Sequence, residues 1–137
     1  MNIFDFFTPK SETYYMHTRS TVRQAIEKFD HHKLGVVPLI DENGAYVSTI
    51  SEGDILRYIK NTAGFDIAIA ENTLLDEVER YRPYKACNIS VSMDEVIKIA
   101  FDQNFVPIVD DRGYYMGIVK RKTLLELLYE KSSGMLA

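Results

Sequence analysis

The hydrophobic and polar positions of this chain follow helical and strand periods in a fixed order. Apolar residues at three- and four-residue spacing predict a helix that opens at a Thr21–Gln24 capping box. An apolar run over 36–40 predicts a buried strand, and 41–44 ends in the Asn-Gly pair typical of a hairpin turn. A return strand over 45–50 and a second helix from Ser51 complete the unit. The predicted core faces are Val22, Ala25, Ile26 and Phe29 in the first helix, and Ile55, Leu56 and Ile59 in the second.

The same order returns 69 residues later. Ser92 opens the helix, 106–109 and 114–119 are the two strands, and a leucine-rich helix closes the copy. Three residues of each copy match at this spacing: Pro38 with Pro107, Asp41 with Asp110, and Gly44 with Gly113. The apolar helix residues are Met93, Val96, Ile97 and Ala100, then Leu124, Leu125, Leu127 and Leu128. A repeat of this size predicts two like units that bury apolar faces against each other around a pseudo-two-fold axis, with two related clefts.

The two copies differ in one length. Thr21 and Pro38 are 17 residues apart, whereas Ser92 and Pro107 are 15 apart. This difference predicts that the helix-to-strand loop of the second copy is two residues shorter. The two clefts are therefore expected to differ in shape.

The segments outside the copies give weaker patterns. Ile3, Phe4 and Phe7 have the spacing of a short helix that Thr8-Pro9 would end, and 14–16 predicts a short strand. The stretch 61–72 has weak periodicity and is interpreted as a connector, and a further short helix is predicted from Thr73.

Composition narrows the class of protein. The chain has 137 residues, of which 46% are apolar and 26% charged, as expected of one compact domain. A net charge of −4 disfavours a general nucleic-acid binder. Cys87 is the single cysteine, no apolar run approaches the ~20 residues of a membrane span, and no signal peptide is recognisable. We expect a cytoplasmic protein that contacts neither nucleic acid nor membrane.

The strongest local candidate for a binding site is the predicted helix start at Ser51. Unpaired amides and the helix dipole suit an anion there, and a carboxylate at Asp54 can accept hydrogen bonds from a ribose. The alternative is an ordinary N-cap with a reach-back acid. The same pattern recurs at Thr73-x-x-Asp76, where no site is expected, so the spacing alone favours the cap. If Asp54 binds ligand, Asp54→Ala should weaken binding more than it lowers the melting temperature.

The matching position in the second copy carries three cations, Lys120-Arg121-Lys122. Cations at a helix N-terminus are unfavourable by about 0.3–1 kcal/mol each. A bound anion would remove that cost. The alternative is that the helix begins later, at Thr123, which leaves a solvated basic turn. The sequence leaves both open.

Nothing in the sequence argues for catalysis, a metal or a required cofactor. His31-His32 point in different directions on a helix and suit a solvated helix end better than a metal site. Zinc-ligand spacing, Gly-rich phosphate loops and the nucleophile elbow of hydrolases are all missing. Four tyrosines in or beside predicted strands offer rings to a purine, although aromatic residues in strands are more often packed: Tyr14, Tyr15, Tyr114 and Tyr115.

The duplicated string resembles the CBS domain along its length. The similarity covers 21–26, 34–41, 47–54 and the lead-in Phe6-Phe7-Thr8-Pro9. Two copies in one chain resemble a CBS pair, or Bateman module. The resemblance implies an α/β fold of two β-α-β-β-α repeats packed with pseudo-two-fold symmetry. It sets the first motif with its lead-in at 1–61, the connector at 62–73 and the second motif at 74–137.

The resemblance also implies which residues contact an adenine nucleotide. Ser20 and Ala25 would flank adenine and ribose, Gly35, Val36 and Pro38 would line the base pocket, Ser51 would meet phosphate and Asp54 the ribose. Tyr14 and Val106 are further candidates. Ser48 stands where the family usually has glycine, which the second copy keeps as Gly117.

A closer resemblance is to small stand-alone bacterial CBS-pair proteins that sense cyclic di-AMP. The similar strings are 104–106 and 115–122, with the shorter loop and the basic cluster of Lys120, Arg121 and Lys122. That family usually has a hydroxyl residue at position 120. The implied contacts are therefore better supported for Arg121 and Lys122, and Arg121→Ala should selectively weaken a ligand with two phosphates.

We therefore expect a non-enzymatic regulatory module that binds AMP, ADP, ATP or cyclic di-AMP and signals to an unknown effector protein. The resemblance implies homodimers formed through the helices, which the paired leucines of the last helix would suit. The alternative is a ligand-free dimerisation or protein-interaction module.

Overall fold

The computed structural model describes residues 2–134. In chain order its elements are β1 (Phe7–Pro9), β2 (Met16–His17), α1 (Val22–His32), β3 (Val36–Ile40), β4 (Tyr46–Ser51), α2 (Glu52–Asn61), α3 (Ile67–Asn72), β5 (Cys87–Asn88), α4 (Met93–Ala100), β6 (Phe105–Val109), β7 (Tyr115–Lys120) and α5 (Arg121–Ser132). Three 3-10 turns lie at Ile3–Asp5, Lys10–Glu12 and Leu75–Glu77. Both repeats have the predicted β-α-β-β-α order, which confirms the α/β fold class.

The chain forms two compact units. The first-repeat unit comprises 14–83, and the second-repeat unit comprises 84–137 together with the lead-in, 1–13. The lead-in thus packs with the second repeat, although the family motif places it before the first. The outer limits predicted for the two motifs, residues 1 and 137, lie outside the described residues.

In the first-repeat unit the sheet order is β2-β3-β4, with β2 parallel and β4 antiparallel to β3. Helices α1 and α2 cover this sheet. The predicted capping box at the start of α1 is present, with Thr21 Oγ1 accepting from Gln24 N at 3.2 Å. The helix ends at Lys33 in the left-handed conformation. The buried core contains Val22, Ala25, Phe29, Val37, Leu39, Ile50 and Ile55.

In the second-repeat unit the sheet order is β1-β7-β6-β5. Strand β5 runs parallel to β6, while β7 is antiparallel to both β6 and β1. The core beneath it contains Ile3, Cys87, Val96, Ala100, Val106, Ile108, Val119 and Leu124. Within residues 2–134, no helix is both long and apolar enough to cross a bilayer.

The lead-in helix predicted from Ile3, Phe4 and Phe7 is wrong. The predicted helix is reduced to one 3-10 turn at Ile3–Asp5. Phe7 already begins β1, where it lies opposite Val119. Pairing with a strand more than a hundred residues away overrides the local helical spacing. Nor does Tyr14 belong to the predicted strand, because β2 is Met16–His17 and Tyr14 is exposed.

The connector also contains more structure than its weak periodicity indicates. Helix α3 occupies Ile67–Asn72, and Asp66 caps it by accepting from Ile69 N at 2.9 Å. Ala70 buries against the first-repeat core. The segment is therefore part of the first-repeat unit, and only a single buried residue anchors its short helix.

The length difference between the copies lies in the helix, not in the loop. Helix α1 has 11 residues and α4 has 8. The loop that follows is 33–35 in the first copy and 101–104 in the second, so the prediction of a shorter second loop is wrong. The difference in spacing between motif residues does not show whether the missing residues belong to the helix or to the loop.

Gly117 allows β1 to lie against β7. Its φ is +154°, and a Cβ at this position would collide with the carbonyl oxygen of Thr8. Ser48 occupies the matching position in β4, where it is buried, and β4 ends the sheet of its unit. The glycine that the second copy keeps thus allows the close approach of a strand of the protein itself.

Candidate functional site

The helix start at Ser51 forms a complete capping box. Ser51 Oγ accepts a hydrogen bond from Asp54 N at 3.0 Å, and Asp54 Oδ2 accepts one from Ser51 N at 2.9 Å. Asp54 is only 4% exposed. These are the contacts that the N-cap alternative predicts.

The second carboxylate oxygen of Asp54 is engaged as well. Oδ1 accepts hydrogen bonds from Arg57 Nη2 at 3.0 Å and from Tyr81 N at 3.1 Å. The guanidinium of Arg57 lies over the Tyr81 ring, 4.0 Å from its centroid. Asp54 therefore accepts three hydrogen bonds from its own unit before any ligand is considered.

The charge around this start is acidic. Glu52 and Asp54 both lie in the first turn of α2, where carboxylates interact favourably with the helix dipole. The amide of Glu52 donates to the carbonyl of Gly35 at 2.9 Å. An incoming phosphate would meet two carboxylates and amides that are already bonded.

The sheet register sorts the candidates of the first repeat into two groups. Val36 lies opposite Ser51, and the carbonyl of Gly35 accepts a hydrogen bond from the amide of Glu52. These residues therefore lie together with Asp54 at one end of β3. Ser20 follows β2, whose residue His17 lies opposite Ile40 at the other end. A five-residue strand separates the ends by about 13 Å. Ser20 and Ser51 therefore line different surfaces of this unit.

The predicted contacts Ala25 and Pro38 are buried in this unit. Ala25 is 0% exposed in the core beneath α1, and Pro38 lies in the middle of β3 opposite Thr49. Their side chains support the sheet. Val106 of the second-repeat unit is likewise 0% exposed within its own core.

Ser20 lines a groove beside α1 that the sequence did not indicate. The groove has a volume of about 580 Å³, and its other lining residues are Met16, Arg23, Gln24, Glu27, Lys28, His31 and His32. The Tyr14 ring stacks on His32 at a centroid distance of 4.3 Å. Tyr14 thus lies on the end of α1 and outside any strand, and it stays half-exposed.

The second-repeat helix start has the opposite character. Helix α5 begins at Arg121, with Lys120 as an N-cap residue that makes no side-chain capping bond. The alternative in which the helix starts at Thr123 is therefore wrong. Lys120 and Lys122 are exposed, and Arg121 is partly buried.

Arg121 is held by residues of the preceding loop. Its amide donates to Asn104 O at 2.9 Å, and its Nη2 donates to Asn104 Oδ1 at 2.5 Å. Asn104 N in turn donates to the Tyr84 hydroxyl at 3.3 Å, and the Tyr84 ring packs edge-on against Phe105. Local sequence patterns do not indicate the role of Tyr84, because its partner Asn104 is twenty residues away.

The two helix starts are thus inverted in charge at equivalent positions. Ser51 corresponds to Lys120, Glu52 to Arg121, Gly53 to Lys122 and Asp54 to Thr123. The first start is acidic, capped and satisfied, while the second is basic and has no side-chain cap. Of the two, the basic start is the one whose free energy an anion would lower.

The remaining reactive groups offer little chemistry. Among residues 2–134, no cluster of three or more His, Cys, Asp or Glu side chains could hold a metal ion. Burial raises the pKa of the Cys87 thiol; nearby Lys85 opposes this rise and Glu95 adds to it. A buried thiol with a raised pKa is a poor nucleophile.

Comparison with known proteins agrees with the fold. The model of the CBS domain family matches residues 9–61 and 69–130. A search of curated proteins found no significant relative.

Solved structures give three informative matches. A CBS domain protein from Streptococcus pneumoniae TIGR4 has a TM-score of 0.83 at 21% identity, covering 93% of this chain and 86% of that one. CbpB from Listeria monocytogenes, in complex with c-di-AMP, has a TM-score of 0.79 at 17% identity over 95% and 96%. CBSX2 in complex with AMP, a protein also solved from Arabidopsis thaliana, has 0.72 at 19% over 96% and 98%. At these identities the likeness concerns the fold.

Proposed function

The chain belongs to the CBS domain family, and from that premise we propose that it is a non-catalytic regulatory module that binds an adenine nucleotide and signals to an effector protein. Proteins of the same fold have been solved with c-di-AMP and with AMP. We place its action in the cytoplasm, where such nucleotides are made.

The observation that carries this proposal is the basic start of α5. Lys120, Arg121 and Lys122 surround helix amides that no side chain caps. Each cation near a helix N-terminus costs about 0.3–1 kcal/mol, and adjacent like charges add to it. A phosphate accepts from the amides and neutralises the cations together, so binding removes an unfavourable term that the ligand-free protein contains.

The same observation favours a ligand with two phosphates, and we propose cyclic di-AMP ahead of AMP, ADP and ATP. Three cations at one start suit more than one phosphate charge. In a 3′,5′-linked cyclic dinucleotide each 3′ oxygen is esterified, so the ribose has no vicinal diol to offer Asp54. That chemistry suits a protein in which the Asp54 carboxylate is already engaged.

For the remaining contacts we propose residues that have exposed atoms. Gly35, Val36 and Ser51 cluster at one end of β3 and would contact a base largely through backbone atoms. Ser20 and Tyr14 would contribute from the groove beside α1. Ala25 and Pro38 would support these surfaces from beneath, and Val106 would act from the core of its own unit.

We also propose that the protein acts as a homodimer. The final helix of each repeat exposes large apolar side chains: Leu56 on α2, and Leu125, Leu128 and Tyr129 on α5. Such residues favour an interface with a second copy or an effector. They are also the specific support for the second candidate function, a dimerisation module without a ligand.

Thermal unfolding with a nucleotide panel separates these functions. Cyclic di-AMP at 100 times its Kd should stabilise the protein by about 2.7 kcal/mol. Arg121→Ala should lose most of this shift, because it removes a cation at the helix start. Arg112→Ala is the matched control, since Arg112 lies on a turn of the same unit and stacks on Tyr114. Absence of a shift with cyclic di-AMP, AMP and ATP would leave the ligand-free dimerisation module.

A further inference from the structure

The segment that follows the 3-10 turn at Leu75–Glu77 lies across the Ser51 helix start. From this arrangement we infer that Tyr81 and Arg57 are specificity-determining residues. Their hydrogen bonds occupy the Asp54 carboxylate and so exclude nucleotides that must bind to it through a free ribose diol. This inference rests on the proposed nucleotide-binding function and deepens it. We call the contacts among Asp54, Arg57 and Tyr81 the acid latch.

The latch fills both acceptor sites of Asp54 Oδ1 and one of the two at Oδ2. A carboxylate binds two vicinal hydroxyls by accepting one hydrogen bond at each oxygen. Here Oδ2 accepts from Ser51 N, and Oδ1 accepts from both Arg57 Nη2 and Tyr81 N. With Asp54 4% exposed, a ribose reaches the carboxylate only if the Tyr81 segment moves away.

The course of the chain explains why this segment lies where it does. Each repeat unit contains a short 3-10 turn that precedes an extended segment, at Ile3–Asp5 in the second-repeat unit and at Leu75–Glu77 in the first-repeat unit. In the second-repeat unit that segment becomes β1, which pairs with β7 because Gly117 leaves room for the Thr8 carbonyl. In the first-repeat unit Ser48 replaces this glycine, and Val78–Pro83 forms no strand. The segment instead brings its Tyr81 amide to Asp54.

Arg80 fixes the path of the segment before it reaches Asp54. Its Nη1 donates to the carbonyl oxygens of Leu75 at 3.2 Å, Asp76 at 3.3 Å and Val78 at 3.0 Å. Tyr81 then meets Arg57 through its ring and Asp54 through its amide. Three hydrogen bonds from Arg80 thus hold the backbone before Tyr81 in place.

The latch is releasable because one of its groups is poorly satisfied. Arg57 Nε is buried and has no hydrogen-bond partner among the described residues. A buried donor without a partner is unfavourable, which lowers the stability of the closed arrangement. The Tyr81 ring is 46% exposed, so its removal leaves the core intact.

Calorimetric titration with AMP, 2′-deoxy-AMP and cyclic di-AMP tests the inference. Tyr81→Ala should bind AMP about two- to fivefold more tightly than the unmodified protein, the factor expected from an exposed cation–π contact. Tyr81→Pro also removes the amide donor and should gain about tenfold or more, since the acceptor is charged. Tyr81→Phe keeps the ring and the amide and should behave as the unmodified protein. Affinity for 2′-deoxy-AMP and for cyclic di-AMP should stay unchanged.

Unchanged AMP affinity in both Tyr81→Ala and Tyr81→Pro would overturn the inference, and so would an equal gain for AMP and 2′-deoxy-AMP. Cyclic di-AMP judges the proposed function separately. If it binds while the Tyr81 variants gain nothing for AMP, the latch idea alone fails. If no variant binds any nucleotide, both fail.

Discussion

At Asp54, packing and candidate chemistry compete for the same two oxygen atoms. The carboxylate caps α2, pairs with Arg57 and holds the Tyr81 amide. Spacing in the sequence identifies this residue but is consistent with either role, because a reach-back cap and a ribose acceptor need the same residue type at the same position. The long-range partner, Tyr81, shows that Oδ1 of the carboxylate already accepts two hydrogen bonds without a ligand.

The first prediction follows from that engagement. Asp54→Ala should lower the free energy of unfolding by about 1–3 kcal/mol, because the cap is lost and the Tyr81 amide and Arg57 lose their acceptor. Urea denaturation measures the change. Asp76→Ala is the control, since Asp76 belongs to the same Ser/Thr-x-x-Asp pattern but is exposed. Equal stability of the two variants would contradict the structural role of Asp54.

The hydrogen bonds of Asp54 revise the expectation that Asp54→Ala lowers ligand affinity far more than it lowers the stability of the fold. A drop in melting temperature is now expected whether or not a ligand binds. The affinity for cyclic di-AMP then distinguishes a capping role of Asp54 from a ligand-binding role. If the ligand binds through the basic start of α5, of which Asp54 is no part, the affinity should not depend on Asp54. The diagnostic residue for ligand binding is therefore Arg121.

At the level of elements, α2 and α5 begin at equivalent positions with opposite local energetics. The start of α2 has a hydroxyl cap and two first-turn acids. The start of α5 has no side-chain cap and three cations. Since both helices follow a buried antiparallel strand pair, the difference arises from the side chains of the first turn.

Exchanging the N-cap residues tests this difference. Lys120→Ser should raise the stability of the ligand-free protein by about 1 kcal/mol, because a serine at this position caps α5 and removes one cation. Ser51→Lys should lower it by a similar amount or more, since it also breaks the box with Asp54. Thermal unfolding without nucleotide provides both values. If Lys120→Ser destabilises the protein, the basic start is not the unfavourable feature described above.

The repeat and most of its helices and strands were predictable because their signals are local. The α1 capping box, the two hairpin turns and the apolar faces each fall within a short window of sequence. The lead-in was not predictable, because Phe7 becomes a strand only through its pairing with Val119. The roles of Tyr81 and Tyr84 were not predictable either, because their partners, Asp54 and Asn104, are distant in the sequence.

For the whole molecule, the two units contain unequal versions of one repeat. One unit has a satisfied acidic helix start, and the other has a basic start without a side-chain cap. A protein with two identical clefts would bind two identical ligands independently. The unequal starts favour the proposal that phosphate is recognised by the second repeat, whose helix start is basic. The predicted motif limits, 1–61, 62–73 and 74–137, remain a proposal. They differ from the two compact units of the structure, which are 14–83 and the rest of the chain.

Assembly is the last property to be tested at this scale. Leu128 on α5 is 40% exposed and Leu125 is 58% exposed, on a helix whose buried residue is Leu124. In the first-repeat unit, Leu56 lies beside a groove of about 640 Å³ between α1 and α2. These surfaces are apolar enough to associate in water.

Leu128→Glu should convert the proposed dimer to a monomer, because a carboxylate buried at an apolar contact has no partner to offset its loss of hydration. Sedimentation equilibrium measures the mass, and the chain itself is 15.8 kDa. Ile67→Glu is the matched control: Ile67 is 60% exposed on α3, a different helix from those that carry Leu56 and Leu128, and the variant should keep the mass of the unmodified protein. A monomeric unmodified protein would refute the dimer directly. A Leu128→Glu protein that stays dimeric would move the interface to Leu56 and the first-repeat groove, where Leu56→Glu repeats the test.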